Sequence, residues 1–160
     1  MTEPRSHAPP PAGMRPMRWW DIAAVLPLED ELFGAEAWSA RSYWSELAQR
    51  DSRHYLLVED ADGGVAAYGG LGFFGDESWI LTLGVRRTAQ GKGLGTLVLQ
   101  ALLAESDARG VSRCLLEVRV DNRVAQRLYQ RHGFTRIGIR KGYYQPSNTD
   151  AAVMQRSAPR

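Results

Sequence analysis

Apolar residues along this chain switch between strand-like and helical spacing, and the switches predict its elements. Residues 14–18 read as a first short strand. Residues 21–32 read as a helix, with Ile22, Val25, Leu26, Leu28, Glu29 and Leu32 roughly on repeat and Pro27 disturbing the middle. Ser39 can cap a second helix through Gln49 that carries Tyr43, Trp44 and Leu47. Residues 55–59 and 65–73 are expected to pair as strands through the turn Asp62-Gly63-Gly64. A central strand covers residues 78–85, and Leu94, Leu97, Val98, Ala101 and Leu102 then recur on a helix. The run 112–118 is another strand, and Asp121-Asn122 is a helix-start signal. Val124, Ala125, Leu128 and Tyr129 share one face of the helix that follows. It closes at His132-Gly133, with Gly133 suited to the left-handed position past the last turn. Two further strands lie near 135–140 and 151–155. Irregular alternation with hairpins at both ends predicts an α/β domain of the α+β kind, a mixed sheet of about six to seven strands flanked by about four helices.

Composition narrows this little. A chain of 160 residues suits one domain, expected over residues 14–156. Residues 1–13, rich in proline, are expected to be a disordered tail, and 157–160 a short C-terminal one. A net charge of +2 gives no case for direct nucleic-acid binding. No apolar run approaches the roughly 20 residues that span a membrane, and the first residues make no signal peptide. Cys114 stands alone in mid-strand, so no internal disulfide forms, and three scattered histidines offer no metal-ligand spacing. The expected setting is the cytoplasm, with no metal and no membrane partner.

The chemistry concentrates between the central strand and the helix after it. Gly91, Gly93 and Gly95 leave backbone N–H groups unobstructed, and the helix start at Leu94, Gly95 and Thr96 directs unpaired N–H groups at an anion. Arg86, Arg87 and Lys92 add positive charge to the same few residues. The turn suits a pyrophosphate. A P-loop would need glycine where Arg86 stands and Ser or Thr where Gly93 stands, and a dinucleotide fingerprint would need glycine at Thr96.

What remains is Gln90-x-x-Gly93-x-Gly95 after a strand, which resembles the acetyl-coenzyme A signature of the GCN5-related N-acetyltransferase (GNAT) superfamily. The distal string Leu116-Glu117-Val118-Arg119, Asn122, Ala125, Leu128-Tyr129 and Gly133-Phe134 looks like the same superfamily, and within it the RimI branch of ribosomal-protein alanine N-acetyltransferases. Gly142-Tyr143-Tyr144, Asp150-Ala151 and Trp38-Ser39 also look like that branch, although Ala37 replaces the proline expected before Trp38.

The resemblance implies a GNAT fold in which two parallel strands, ending near Val85 and Val118, splay around the pantetheine arm of acetyl-CoA. It implies a backbone donor to the thioester oxygen among Leu83, Gly84 and Val85, and a coenzyme contact at Asn122, which can also cap its helix. Glu117 matches the position proposed as general base and Tyr129 the position proposed as the acid for the departing thiolate. Each has a structural alternative: Glu117 paired with Arg119 or a neighbouring strand, Tyr129 packed in the core. Trp38, Ser39, Tyr143 and Tyr144 fall where substrate-facing loops are expected.

The implied acceptor is the N-terminal alanine α-amine of ribosomal protein number eighteen of the small subunit, modified from acetyl-CoA. Thr149 stands where some members carry Glu before Asp-Ala, which weakens the case for ammonium recognition through that residue. A small amine, a lysine side chain, or a non-catalytic acyl-CoA-binding module are the alternatives. Because the tail composition offers nothing to a core, a chain starting at Gly13 should keep its melting temperature and turnover; calorimetry and an acetylation assay showing a large loss of either would contradict this.

Overall fold

A computed structural model describes residues 13–159. The proline-rich stretch read above as a tail lies, up to residue 12, outside the described residues. Seven strands, β1 Met14–Pro16, β2 Arg53–Glu59, β3 Val65–Phe74, β4 Glu77–Val85, β5 Arg113–Arg119, β6 Thr135–Tyr144 and β7 Thr149–Ser157, form one sheet in the order β1-β2-β3-β4-β5-β7-β6. Every neighbouring pair is antiparallel except β4 and β5, which run parallel with α3 as their crossover. The helices are α1 Ile22–Phe33, α2 Ala40–Ala48, α3 Leu94–Ala108 and α4 Arg123–Arg131. No helix among the described residues is long and apolar enough to cross a membrane.

Strand alternation explains the layers. On β2, Leu56 and Val58 face a core with Val98, Leu99 and Leu102 of α3, whereas Tyr55 and Leu57 face a second core with Val25 and Leu28 of α1 and Tyr43 of α2. Central strands are therefore covered on both faces, and β3 is buried from Val65 to Gly72. Pro27 lies inside α1 without ending it. The apolar anchors on either side of it, Val25 and Leu28, hold the helix to the sheet against the loss of one backbone bond.

Two residues expected on buried helical faces are not there. Trp44 projects outward from α2 and stacks on Trp19, whose ring also meets Trp20, and Val124 is exposed at the first turn of α4. In both helices the buried face is narrower than the periodicity implied: Tyr43 alone is fully covered in α2, and Tyr129 in α4. The last two strands run further than expected, so Tyr143 and Tyr144 end β6 and are not loop residues.

The sheet's main irregularity lies in β4. Gly70 of β3 pairs with Thr82 and Leu71 with Ile80, leaving Leu81 as an extra residue on β4. Such a bulge bends its strand. Parallel pairing of β4 with β5 stops at Ile80↔Leu116, the very point of the bulge. Beyond it β4 stays with β3 as far as Val85, and β5 stays with β7 as far as Arg119. The two strands separate because each keeps its outer neighbour. On β3, Gly70 at this point lies beneath Tyr55: an added Cβ would come within 2.1 Å of its ring. Gly70→Ala should therefore destabilise the fold by about 1–3 kcal/mol through overpacking, lowering the melting temperature by roughly 2–10 °C. A thermal melt matching wild type would contradict this account of the strand.

Candidate active site

Where β4 and β5 part, their facing edges are unpaired. Arg86 N–H donates to Ala66 O on β3, and successive amides of a strand point to opposite edges. The N–H groups of Leu83 and Val85 consequently point into the gap, and that of Gly84 points to β3. Gly84 matters differently: a Cβ there would stand 2.7 Å from the Tyr68 ring, so its missing side chain accommodates a tyrosine of β3 and not a ligand.

After Val85 the chain makes a single-turn helix, Arg87–Ala89, and reaches the glycine turn. Gln90 donates its side-chain amide to Val85 O at 3.1 Å, tying the turn back to β4. Gly91 and Gly93 both have φ of +81°, and nothing lies within 4 Å of where their Cβ atoms would be. Gly93 is the N-cap of α3 and offers no side-chain cap, so the first amides, at Leu94, Gly95 and Thr96, have no such partner. A 15-residue helix dipole points its positive end there. The open cradle and the free helix start fit a phosphate-bearing ligand.

The cations expected beside the turn are arranged otherwise. Arg86 turns away to Asp60 in the β2–β3 hairpin, at 3.3 Å, because the hairpin's carboxylate lies beside the end of β4. Arg87 donates to Glu31 O at 2.9 Å and lines the cleft described next. Lys92 makes no hydrogen bond or ion pair among the described residues.

Two clefts meet at the parted strands. The first, of about 710 Å³, is walled by Thr82, Leu83, Val118, Asn122, Ala125 and Tyr129. The second, of about 910 Å³, is walled by Phe74, Glu77, Trp79, Arg140, Tyr143 and Gln145. Trp38, Ile80, Leu81, Glu36, Glu117 and Tyr144 border both. Glu117 thus stands at the junction and Tyr129 on one side only.

Glu117 is largely buried and pairs with Arg140 of β6 at 3.1 Å, reaching across β7; Arg119 is not its partner. Tyr143 also faces Glu117, and burial followed by that contact pushes its phenol up to about 12. Burial, then Tyr143, pushes Tyr144 up to about 12 as well. Tyr129 packs edge-on against Phe134, and burial raises its phenol well above the ordinary value. No fully buried side-chain nitrogen or oxygen among the described residues lacks a partner, and the Tyr129 hydroxyl has none among them, so it opens on the first cleft. Asn122 caps α4 by accepting from Ala125 N–H at 3.1 Å and also lines that cleft. Ser39 caps α2 by accepting from Ser42 N–H at 3.1 Å, and it borders neither cleft.

Residues not expected from the pattern complete the mouth. Arg119 gives Nη1 to Glu36 at 3.0 Å, Nη2 to Thr149 at 3.1 Å, and both Nε and Nη2 to Asp121 at 3.0 Å. Hydrogen bonding to Asp121 holds the arginine above, and the aspartate below, its usual range. Ser147 donates to the same Glu36 oxygen at 2.9 Å. The segment before α2 and the β6–β7 loop are thereby joined over the gap, and a carboxylate from Glu36 sits beside the Thr149 position. Buried Glu29 holds the Trp38 N–H. Its one sequence signal was an acid on the apolar repeat of α1.

Residues 18–134 match the family described as "Acetyltransferase (GNAT) family". An N-alpha-acetyltransferase RimI of Mycobacterium tuberculosis is 37% identical over 143 residues, 86% of this chain and 87% of that protein. A [ribosomal protein bS18]-alanine N-acetyltransferase of Salmonella typhimurium is 31% identical over 137 residues, 84% of this chain and 89% of that protein. The crystal structure of the ribosomal-protein-S18-alanine N-acetyltransferase from Escherichia coli superposes with a TM-score of 0.82 at 28% identity, covering 92% of this chain and 94% of that one.

Left-handed backbone at Gly93 and the open space above it make a direct test of the cradle. Gly93→Val should weaken acetyl-CoA binding by about tenfold or more, through the strain of a β-branched residue in that conformation and the space its side chain takes. Calorimetric titration with unchanged affinity would show that the ligand's phosphates lie elsewhere.

Proposed function

This chain belongs to the GNAT acetyltransferase family, and from that premise we propose that it acetylates the N-terminal alanine α-amine of small-subunit ribosomal protein bS18. That the chain is an N-acetyltransferase using acetyl-CoA as cosubstrate follows from the family. The acceptor is inferred from relatives at 31–36% identity that carry bS18-alanine N-acetyltransferase in their names. The observation that carries the mechanism is the division of labour between the two clefts, with Glu117 on the wall they share and Tyr129 on the first alone.

In this reading the first cleft takes acetyl-CoA, its pyrophosphate on the Gly91–Gly95 amides and its pantetheine arm along the unpaired edges of β4 and β5. Arg87 and Lys92 supply charge near the phosphates; Arg86 braces the hairpin. The N–H of Leu83 or Val85 donates to the thioester oxygen, and most strongly when attack by the amine puts negative charge on it. The acceptor enters by the second cleft, past Trp38, Tyr143 and Tyr144. Glu117 takes a proton from the attacking amine, directly or through water. An unperturbed α-amine titrates near ~7.7–8.0, so this help is modest in size near neutral pH. Tyr129, kept protonated by its burial, gives its hydroxyl proton to the thiolate as it leaves. The Glu36–Arg119–Ser147 bridge bounds the entrance on one side.

One experiment addresses the acceptor and the proton path together. A panel of Ala-starting peptides, the same peptides blocked at the N-terminus, and lysine-containing variants is assayed by mass spectrometry; acetylation confined to blocked, lysine-bearing peptides would overturn the acceptor. On the preferred peptide, Glu117→Gln should slow turnover on the order of 10²-fold, with the loss shrinking as pH rises and the ammonium loses its proton unaided. Tyr129→Phe should leave acetyl-CoA affinity intact and lower turnover without recovery at high pH, because the thiolate still lacks a donor. Wild-type rates for either folded variant across the pH range would remove that residue from the mechanism.

A further inference from the structure

Glu29 has the most buried carboxyl group among the described residues, and the reaction above does not use it. One oxygen accepts the hydroxyl hydrogens of Tyr43, from α2, and of Tyr68, from β3, the latter at 3.0 Å; the other accepts the N–H of Trp38 at 3.0 Å. No arginine, lysine or histidine among the described residues pairs with it. Three donors on three separate segments converge on one side chain of α1. Burial, then Glu29 itself, raises both phenols, so both remain donors across neutral pH.

The two ends of this cluster are the informative part. Tyr68 lies over Gly84, on the stretch of β4 that has parted from β5. Trp38 borders both clefts and packs its ring 5.3 Å from that of Tyr43. A rigid path therefore runs from the thioester-facing strand through Tyr68 and Glu29 to the backbone of the wall on which the acceptor slides. A loop before a helix is otherwise free to shift; this one is fixed through its own amide.

We infer that Glu29 is a positioning residue for the acceptor: it borders the first cleft, but its carboxylate is covered and both its oxygens are taken by protein donors, and by gripping the Trp38 N–H it sets the spacing between the acceptor wall and β4. This rests on the reading that the amine enters along Trp38. The carboxyl is suited to the task because it offers an acceptor in both directions. A glutamine of the same shape has one accepting oxygen and would aim its NH₂ at a donor on one side.

The test is Glu29→Gln, with Tyr68→Phe as a milder second variant that removes one donor and leaves the Trp38 bond. Glu29→Gln should raise KM for an Ala-starting peptide about tenfold, the scale of one lost hydrogen bond to a charged group. Calorimetric acetyl-CoA affinity should stay unchanged, and hydrogen exchange at the Trp38 amide should quicken. Tyr68→Phe should show the same split with a smaller rise. Faster exchange at Trp38 with an unchanged peptide KM would overturn the proposal, as would loss of peptide and acetyl-CoA affinity in equal measure, which would mean general loosening. If Glu29→Gln does not fold, Tyr68→Phe decides by the same criteria. If wild type acetylates another amine and not the peptide, the acceptor reading fails separately, and the KM split is measured with that amine.

Discussion

Everything at this site depends on an interrupted hydrogen-bond ladder. A sheet gains by pairing each strand along its length, and β4 and β5 stop pairing at Ile80 and Leu116 although both continue for several residues. The interruption persists because each strand is better held on its outer side, β4 by β3 and β5 by β7. Interior amides without partners cost about 1–3 kcal/mol each, so the gap is a place where an extended ligand with alternating donors and acceptors is favoured. Binding there would complete the sheet, and a ligand that binds only the folded state also stabilises it. Stability and affinity for the cosubstrate are thus linked through the same backbone groups.

Much of this was legible in the chain. Element order, the glycine turn and the two helix caps at Ser39 and Asn122 follow from local rules, and each lies where those rules put it. Periodicity named the helical faces too generously, since it counts apolar residues and not neighbours: Trp44 and Val124 repeat correctly and still lie outside the core, Trp44 against the exposed ring of Trp19. Charge near a motif was a weaker guide still. Arg86 is two residues from the single-turn helix's middle and is occupied by Asp60, a residue remote in sequence. Glu29, Glu36, Arg119 and Ser147 act through partners on other elements, and the pairing that brings these together is a product of topology. Gly84 illustrates the limit well, because its reason for being glycine is a tyrosine sixteen positions earlier.

Polar residues around the mouth are used in two distinct ways. Arg119 spreads its charge over Asp121, Glu36 and Thr149 in a partly solvated setting, where each contact is weak alone and geometry comes from their number. Glu29 sits where water is excluded and is held by neutral donors, so each of its bonds constrains position strongly.

The extra residue at Leu81 also divides β4 into two halves that are out of phase. Ahead of it, Ser78 meets Ser106 of α3 and Ile80 joins the same core; past it, Leu83 and Val85 face that core, and Gly84 faces the opposite side. Even-numbered positions own one face before the bulge and odd-numbered positions own it afterwards. Losing one residue here would leave the strand's composition almost unchanged while exchanging inside for outside along everything downstream. A gap-free alignment of this segment with a sequence lacking the bulge would read plausibly and assign every side chain beyond it to the wrong face.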